Sequence, residues 1–344
     1  MDKSSHNNFF FIFLYDARKI LLPVSRHFCY TPYYIYIMCN DMQDNTGSII
    51  ISVVIPVYQY CCMPLVSALS AQLEANHLSY EIIVIDDGST SAQTITANSA
   101  IASLPHATYT VLPHNVGRAA IRNILANRAS GEWLLFLDCD VHPPLPTFIS
   151  TYLAHAGSTD VVCGGVSAGE NSSLSISNLR FRYERYYAPQ HTATVRAHHP
   201  YSSFRTTNFM IRRSVMLANP FDERVKHYGY EDVLFGRRLQ QQGCTILHID
   251  NPVTIGDYES NDTFILKTEE SLRTLHAFRS ELDGYSRLLA LTSKLDQFLP
   301  ATLFRACYRI MCLPLRRHLT GEHPKLTLFN LYRLLYYMSL TEND

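Results

Sequence analysis

The chain has 344 residues, 47% of them apolar and 17% charged, with 14 glycines and 16 prolines. That composition excludes a disordered, collagen-like or coiled-coil protein and leaves room for one large domain or two modest ones. Basic residues number 29 against 30 acidic, for a formal charge of −1, so no chain-wide field draws a polyanion and nucleic acid is not an expected partner.

Nine cysteines lie scattered from Cys29 to Cys312 without the paired spacings of a zinc site or a small disulfide framework. A reducing, cytoplasmic location is expected. No segment reaches the 18 or so apolar residues that a membrane-spanning helix needs. The run Phe9–Tyr15 (FFFIFLY) resembles a signal h-region, but Asp16 and Arg18 follow it without a small-residue cleavage pattern, so secretion is not expected.

Residues 1–48 combine aromatic clusters with a polar stretch and show no period. They read as an N-terminal extension, disordered or preceding a later true start at Met38 or Met42. At Ile49–Ile55 (IIISVVI) a β-branched run has the character of a strand buried on both faces, with Pro56 ending it. Pro64 suits a first helical turn, and Leu65, Leu69 and Leu73 form one stripe of the helix that follows. Glu81–Asp86 is a second strand, 91–103 a weaker helix, and Thr108–Leu112 a third strand. Gly117–Arg128 is a helix that Gly131 can cap, and Trp133–Leu137 a fourth strand. The alternation predicts an α/β domain over 49–284: a mainly parallel sheet with helices on both faces and ligands beyond the carboxyl ends of its strands.

Those ends carry Pro56-Val57-Tyr58, Asp86-Asp87-Gly88-Ser89, His114 to Arg118, and Asp138-Cys139-Asp140. An aromatic ring can stack on a base, carboxylates can accept from a nucleobase or ribose, and an Asp-x-Asp turn can hold a hard cation. Each is common as a plain turn. Arg118 and Arg122, four residues apart, ordinarily mark a solvated helix face. The ordered conjunction describes a nucleotide and metal site. Further on, Tyr230-Glu231-Asp232 opens a helix with Leu234, Phe235 and Leu239 that stops at Gly243, where acids favour the positive helix end.

From about Ile51 to Glu281 the sequence resembles the family 2 glycosyltransferases of the GT-A fold. The resemblance rests on SVVIPVY at 52–58, VIDDGS at 84–89, NVGRAAIRN at 115–123, FLDCD at 136–140 and FDERVKHYGYEDVLFGRRLQQQG at 221–243. It implies inverting, metal-dependent transfer of a sugar from a nucleotide sugar, usually a UDP-sugar, to an acceptor hydroxyl. By position, Pro56 and Tyr58 would lie against the base, Asp87 would bond it, Asp138 would face the ribose, and Arg118 would assist at the phosphates. Asp140, the last acid of the DXD-type motif, would ligate Mn²⁺ or Mg²⁺. Asp232 would be the general base and Glu231 an acceptor-orienting partner, or the two roles exchanged. The family often has a histidine after a run like Asn251-Pro252-Val253, where this chain reads Thr254-Ile255-Gly256-Asp257. His248 is the nearby candidate for the missing metal ligand, although a lone His at the end of the apolar run Thr245–Leu247 is more often a satisfied structural residue. Gln59 stands where the family usually has Asn.

Ser167–Phe209, rich in Ser, Tyr, Arg and His, reads as the acceptor side and an irregular, mobile loop over the donor. Over 285–344 a helical segment carries eight basic residues between Arg287 and Arg333, opposed within 285–340 only by Asp296 and Glu322. It suits either an anionic membrane surface, on the inner face of the cytoplasmic membrane, or a packed subdomain. The expected role is transfer of a hexose or N-acetylhexosamine to a glycan or lipid-linked acceptor in surface polysaccharide synthesis. The alternative is a catalytically inactive GT-A domain that binds a nucleotide or glycan as a scaffold. A nucleotidyltransferase is disfavoured because Pro56-Val57-Tyr58-Gln59 is no Gly-rich phosphate loop.

Overall fold

The computed structural model describes residues 50–171, 174–298 and 300–341; the extension expected over 1–48 lies outside the described residues. The strands, in chain order, are β1 (Ile51–Val57), β2 (Tyr80–Asp86), β3 (Ala107–Val111), β4 (Trp133–Leu137), β5 (Val141–His142), β6 (Val161–Cys163), β7 (Val166–Ser167), β8 (Asn208–Arg212), β9 (Ile246–His248) and β10 (Val253–Ile255). Seven of them make one sheet in the order β3-β2-β1-β4-β8-β6-β9, and β5-β10-β7 make a small second sheet.

Strand β1 is central, parallel to β2 on one side and β4 on the other, which is why IIISVVI carries no polar face. It runs two residues further than expected. Pro56 lies past the last β1–β4 pair, Val54↔Phe136, so its missing N–H breaks no ladder on that side. Alternate residues of β1 enter two cores. Ile51, Val53, Ile55 and Val57 meet Leu65, Leu69 and Leu73 of the Met63–Ala75 helix, while Val54 joins Leu125, Phe136 and Phe209 on the other face. Within the seven-stranded sheet the reversed strand is β8, antiparallel to β4 and β6.

The Arg118–Arg128 helix ends at Ala129 rather than at the expected cap. Gly131 instead presses on β1: its N–H donates to Ser52 Oγ at 2.8 Å, and a Cβ there would lie 2.6 Å from that oxygen. Gly243 does close the Glu231–Gln241 helix, with φ +68°. The segment expected as an irregular loop between 167 and 209 is mostly helical. Asn178 caps Leu179–Tyr187 by accepting from Phe181 N at 2.8 Å, and Leu179 and Phe181 are buried beneath it.

After 285 the helices Arg287–Asp296, Ala301–Leu319 and Leu326–Ser339 pack on Asn261–Ala277 in a third core. The described residues from 50 to 341 belong to one compact unit, so the change of texture at 285 is one of composition within it. Among the described residues no helix is long and apolar enough to cross a membrane.

Candidate active site

Because β1, β2, β3 and β4 are mutually parallel, their carboxyl ends and the loops after them share one edge, as an open α/β sheet requires of a ligand site. The loops are stitched together. Gln59, at φ +53°, donates from its backbone to Ser89 Oγ at 2.7 Å and from Nε2 to Thr90 Oγ1 at 2.7 Å, and it accepts from Ser91 N at 3.2 Å. The residue that departs from the family pattern thus ties the β1 loop to the β2 loop. Beside it Tyr58 is 51% exposed, a ring free to stack. Pro56 is a half-buried residue of β1 itself.

Asp87 is buried, and its two oxygens accept from Val116 N at 2.7 Å and Gly117 N at 3.1 Å. Burial raises its pKa and these two donors lower it; the net direction is upward. Asp87 therefore fixes the loop that launches the Arg118–Arg128 helix, and its remaining lone pairs are what a base could use. Between the two loops Gly88 sits at φ +73°, where a Cβ would come within 2.6 Å of the His114 backbone. We expect Gly88→Ala to lower folding stability by roughly 1–3 kcal/mol, through strain and a clash with backbone rather than with a yielding side chain. Chemical unfolding beside wild type checks it.

The four acids singled out from sequence come together with two arginines, and the arginines divide them. Arg122, only 2% exposed, places Nη2 2.7 Å from Asp138 Oδ1 and Nη1 3.9 Å from Glu231 Oε1. Arg118, one turn earlier and 44% exposed, places Nε 3.1 Å from Glu231 Oε1 and Nη2 3.9 Å from Asp138 Oδ2. Burial works to raise the Asp138 carboxyl, but Arg122 and Arg118 outweigh it and hold it below the usual carboxylate range. Among the described residues Asp140 and Asp232 have no ion pair within 4 Å. Burial, and then the neighbouring charge of Asp138, raises Asp140. Burial, and then Glu231, raises Asp232 to about 6, while Arg205 pulls the other way.

Backbone shape places the second pair of acids. Gly229 and Tyr230 take φ +95° and +64°, and this left-handed turn starts the Glu231–Gln241 helix with both acids in its first turn. Gly236 lets that helix seat closely, since a Cβ there would stand 2.2 Å from Tyr201 O.

The segment in which the family histidine is missing runs beside Asp140. Thr254 and Ile255 pair with His142 and Val141, and Gly256 N donates to Asp140 O at 2.8 Å. Asp257, next in line, accepts from Tyr60 OH at 2.6 Å. Burial, Asp257 and Asp140 all push the Tyr60 phenol upward, which puts that ring near both carboxylates.

His248 does not serve this site. It lies on β9 opposite Cys163, with Nε2 2.9 Å from Pro200 O and Nδ1 2.7 Å from Arg196 Nη1. Nε2 must donate to the carbonyl, which leaves Nδ1 to accept from the guanidinium, so neither nitrogen has a lone pair for a metal. The expectation that His248 ligates is corrected accordingly. Sequence reading also missed two cations. Arg122 looked like a solvated residue, and Arg205, which lies 3.7 Å from Glu184 and 3.2 Å from His191 Nε2, carries charge felt by Asp232.

Residues 52–217 match the model of glycosyl transferase family 2. A curated relative, an uncharacterized glycosyltransferase of Haemophilus influenzae, is 36% identical over 91 residues; the match covers 26% of this chain and 36% of the relative, little more than a third of its length. Among solved structures, the mannosyltransferase PcManGT from Pyrobaculum calidifontis, in complex with GDP-Man and Mn²⁺, is 13% identical, with 89% of this chain and 92% of that one covered at a TM-score of 0.49. TarS 1–349 of S. aureus is 17% identical, with 84% and 90% covered at 0.45.

Proposed function

We propose that the chain is an inverting, metal-dependent glycosyltransferase. It moves a hexose or N-acetylhexosamine from a nucleotide sugar, with a UDP-sugar as first choice, to a hydroxyl of a glycan or lipid-linked acceptor in surface polysaccharide synthesis. The observation that carries this reading is the division of the four acids: Asp138 and Glu231 are paired to Arg118 and Arg122, whereas Asp140 and Asp232 are left for chemistry.

Asp232, raised to about 6, is an apt general base near neutral pH: ionised there, yet basic enough to take the acceptor's proton as its oxygen attacks. Glu231 positions the start of its helix through the arginines. Tyr58 stacks on the base, with Pro56 and Asp87 shaping the pocket and Asp138 facing the ribose. Arg118 meets the diphosphate in this reading, which its half-exposed side chain, with the guanidinium carbon 5.1 Å from the Tyr228 ring centroid, supports.

The donor set suits a hard cation. Asp140 would hold Mn²⁺ or Mg²⁺ through oxygen, with Asp257 the adjoining carboxylate. Among the described residues no three His, Cys, Asp or Glu groups converge as a metal site, so diphosphate oxygens and water would complete the shell. Such an ion, when bound, supplies charge that stabilises the leaving diphosphate.

The second reading, an inactive scaffold, draws on the engaged His248. Both require nucleotide binding, and a ligand that binds only the folded state adds RT ln(1 + [L]/Kd), about 2.7 kcal/mol at a hundredfold excess over Kd. We expect UDP with Mn²⁺ to raise the melting temperature of wild type, and Asp140→Asn to lose the Mn²⁺-dependent part. An equal shift in both would remove Asp140 from the site.

A further inference from the structure

The C-terminal helices settle one question and open another. The Ala301–Leu319 helix packs as part of a subdomain: Phe304, Leu315 and Leu319 are 8%, 6% and 0% exposed in the core shared with Phe329 and Tyr332. A helix with only that duty carries polar residues on its other face. This one does not. Leu303, Ile310 and Leu313 are 45%, 76% and 62% exposed, and their spacing puts them on one outward stripe with Ala306. Just before the helix Phe298 is 80% exposed. Single exposed apolar residues are ordinary, but a run of large ones along one helix face marks an interaction surface.

The charges around the stripe say what kind. Arg309 and Arg317 are exposed on the same helix, and Arg287 and Lys294 are exposed on the one before it; the acids of 285–340 are Asp296 and Glu322 alone. We propose that this face is an interfacial anchor that lies on an anionic phospholipid surface. Leu303, Ile310, Leu313 and Phe298 enter the boundary between headgroups and acyl chains, and Arg309 and Arg317 meet lipid phosphates. A second copy of the chain fits less well, because a two-fold contact through this stripe would bring Arg309 and Arg317 against their own like charges. None of the site residues lies on this helix, so the anchor stands or falls independently of the transfer reaction.

The test is co-sedimentation of the full chain with vesicles of phosphatidylcholine alone and of phosphatidylcholine with phosphatidylglycerol, at low and high salt. Wild type should bind the anionic vesicles, release with salt as surface charges are screened over about 8 Å at physiological ionic strength, and leave the neutral ones in solution. The double variant Ile310→Ser/Leu313→Ser changes only exposed side chains and should melt as wild type does, yet bind at least about tenfold more weakly. Arg309→Gln/Arg317→Gln should lose about tenfold and part of the salt dependence, Arg287 and Lys294 keeping the rest. Three results would overturn the proposal: no binding of wild type to anionic vesicles, binding unchanged in Ile310→Ser/Leu313→Ser, or a solution dimer of wild type that this double variant abolishes.

Discussion

Asp232→Asn is expected to lower kcat by about 10²–10⁴-fold while leaving donor affinity unchanged, the range that general-base catalysis contributes. The substitution keeps the shape of the side chain and removes only the basic oxygen. Its hydrogen bond from Val233 N, 2.8 Å long, goes to Oδ1 and can go to the amide oxygen instead, so folding should be preserved. The pH profile gives a second check. The carboxyl is raised to about 6 by burial and by Glu231, and only its ionised form accepts a proton. Wild-type kcat should therefore fall as pH drops through about 6 and stay level above it, and in Asp232→Asn that limb should vanish. Glu231→Gln should behave differently, because Glu231 is joined to Arg118 at 3.1 Å: both stability and acceptor KM should move. If Asp232→Asn keeps more than about a tenth of wild-type turnover, less than a general base accounts for, the two roles exchange.

Arg122→Met should be the most destabilising single change at the site. Arg122 is 2% exposed and lies 2.7 Å from Asp138 and 3.9 Å from Glu231. Methionine fills much of its volume but leaves two enclosed carboxylates with only the half-exposed Arg118 as partner. Breaking a buried ion pair by removing one member typically costs about 3–5 kcal/mol, and chemical unfolding should read a loss of that order. Arg118→Met, at a residue 44% exposed, should cost about 0–1 kcal/mol, as solvated pairs do. Equal effects of the two substitutions would mean that Arg122 is not what holds the acids together.

The contrast between these arginines shows where sequence reading succeeds and stops. The strands were legible because β1, β2 and β4 are dominated by β-branched and apolar residues, and the acids at the ends of β2 and β4 followed from strand order. The i, i+4 spacing of Arg118 and Arg122 is equally visible, but it reads as a solvated face. Part of what surrounds Arg122 comes from far along the chain, the Phe221 ring and Glu231; the neighbouring Arg118–Glu231 bond spans 113 residues. The choice between the two readings of His248 was hidden for the same reason, since Arg196 and Pro200, which occupy its nitrogens, are 52 and 48 residues away. The reversed strand β8 is set by its register against β4 and β6, which periodicity within Asn208–Arg212 does not encode. For the C-terminal helices, composition suggested a membrane surface or a packed subdomain. The fold gives the Ala301–Leu319 helix a packed inner face and leaves an apolar outer one.

The most direct measurement of the central claim is the nucleoside diphosphate released from a panel of nucleotide sugars incubated with the protein and Mn²⁺, water serving as a poor surrogate acceptor. The account predicts that one donor is consumed, that release requires the divalent ion, and that Asp140→Asn abolishes it. Nucleotide binding without release from any donor, with Mn²⁺ or with Mg²⁺, would contradict transfer and leave the chain a nucleotide-binding scaffold.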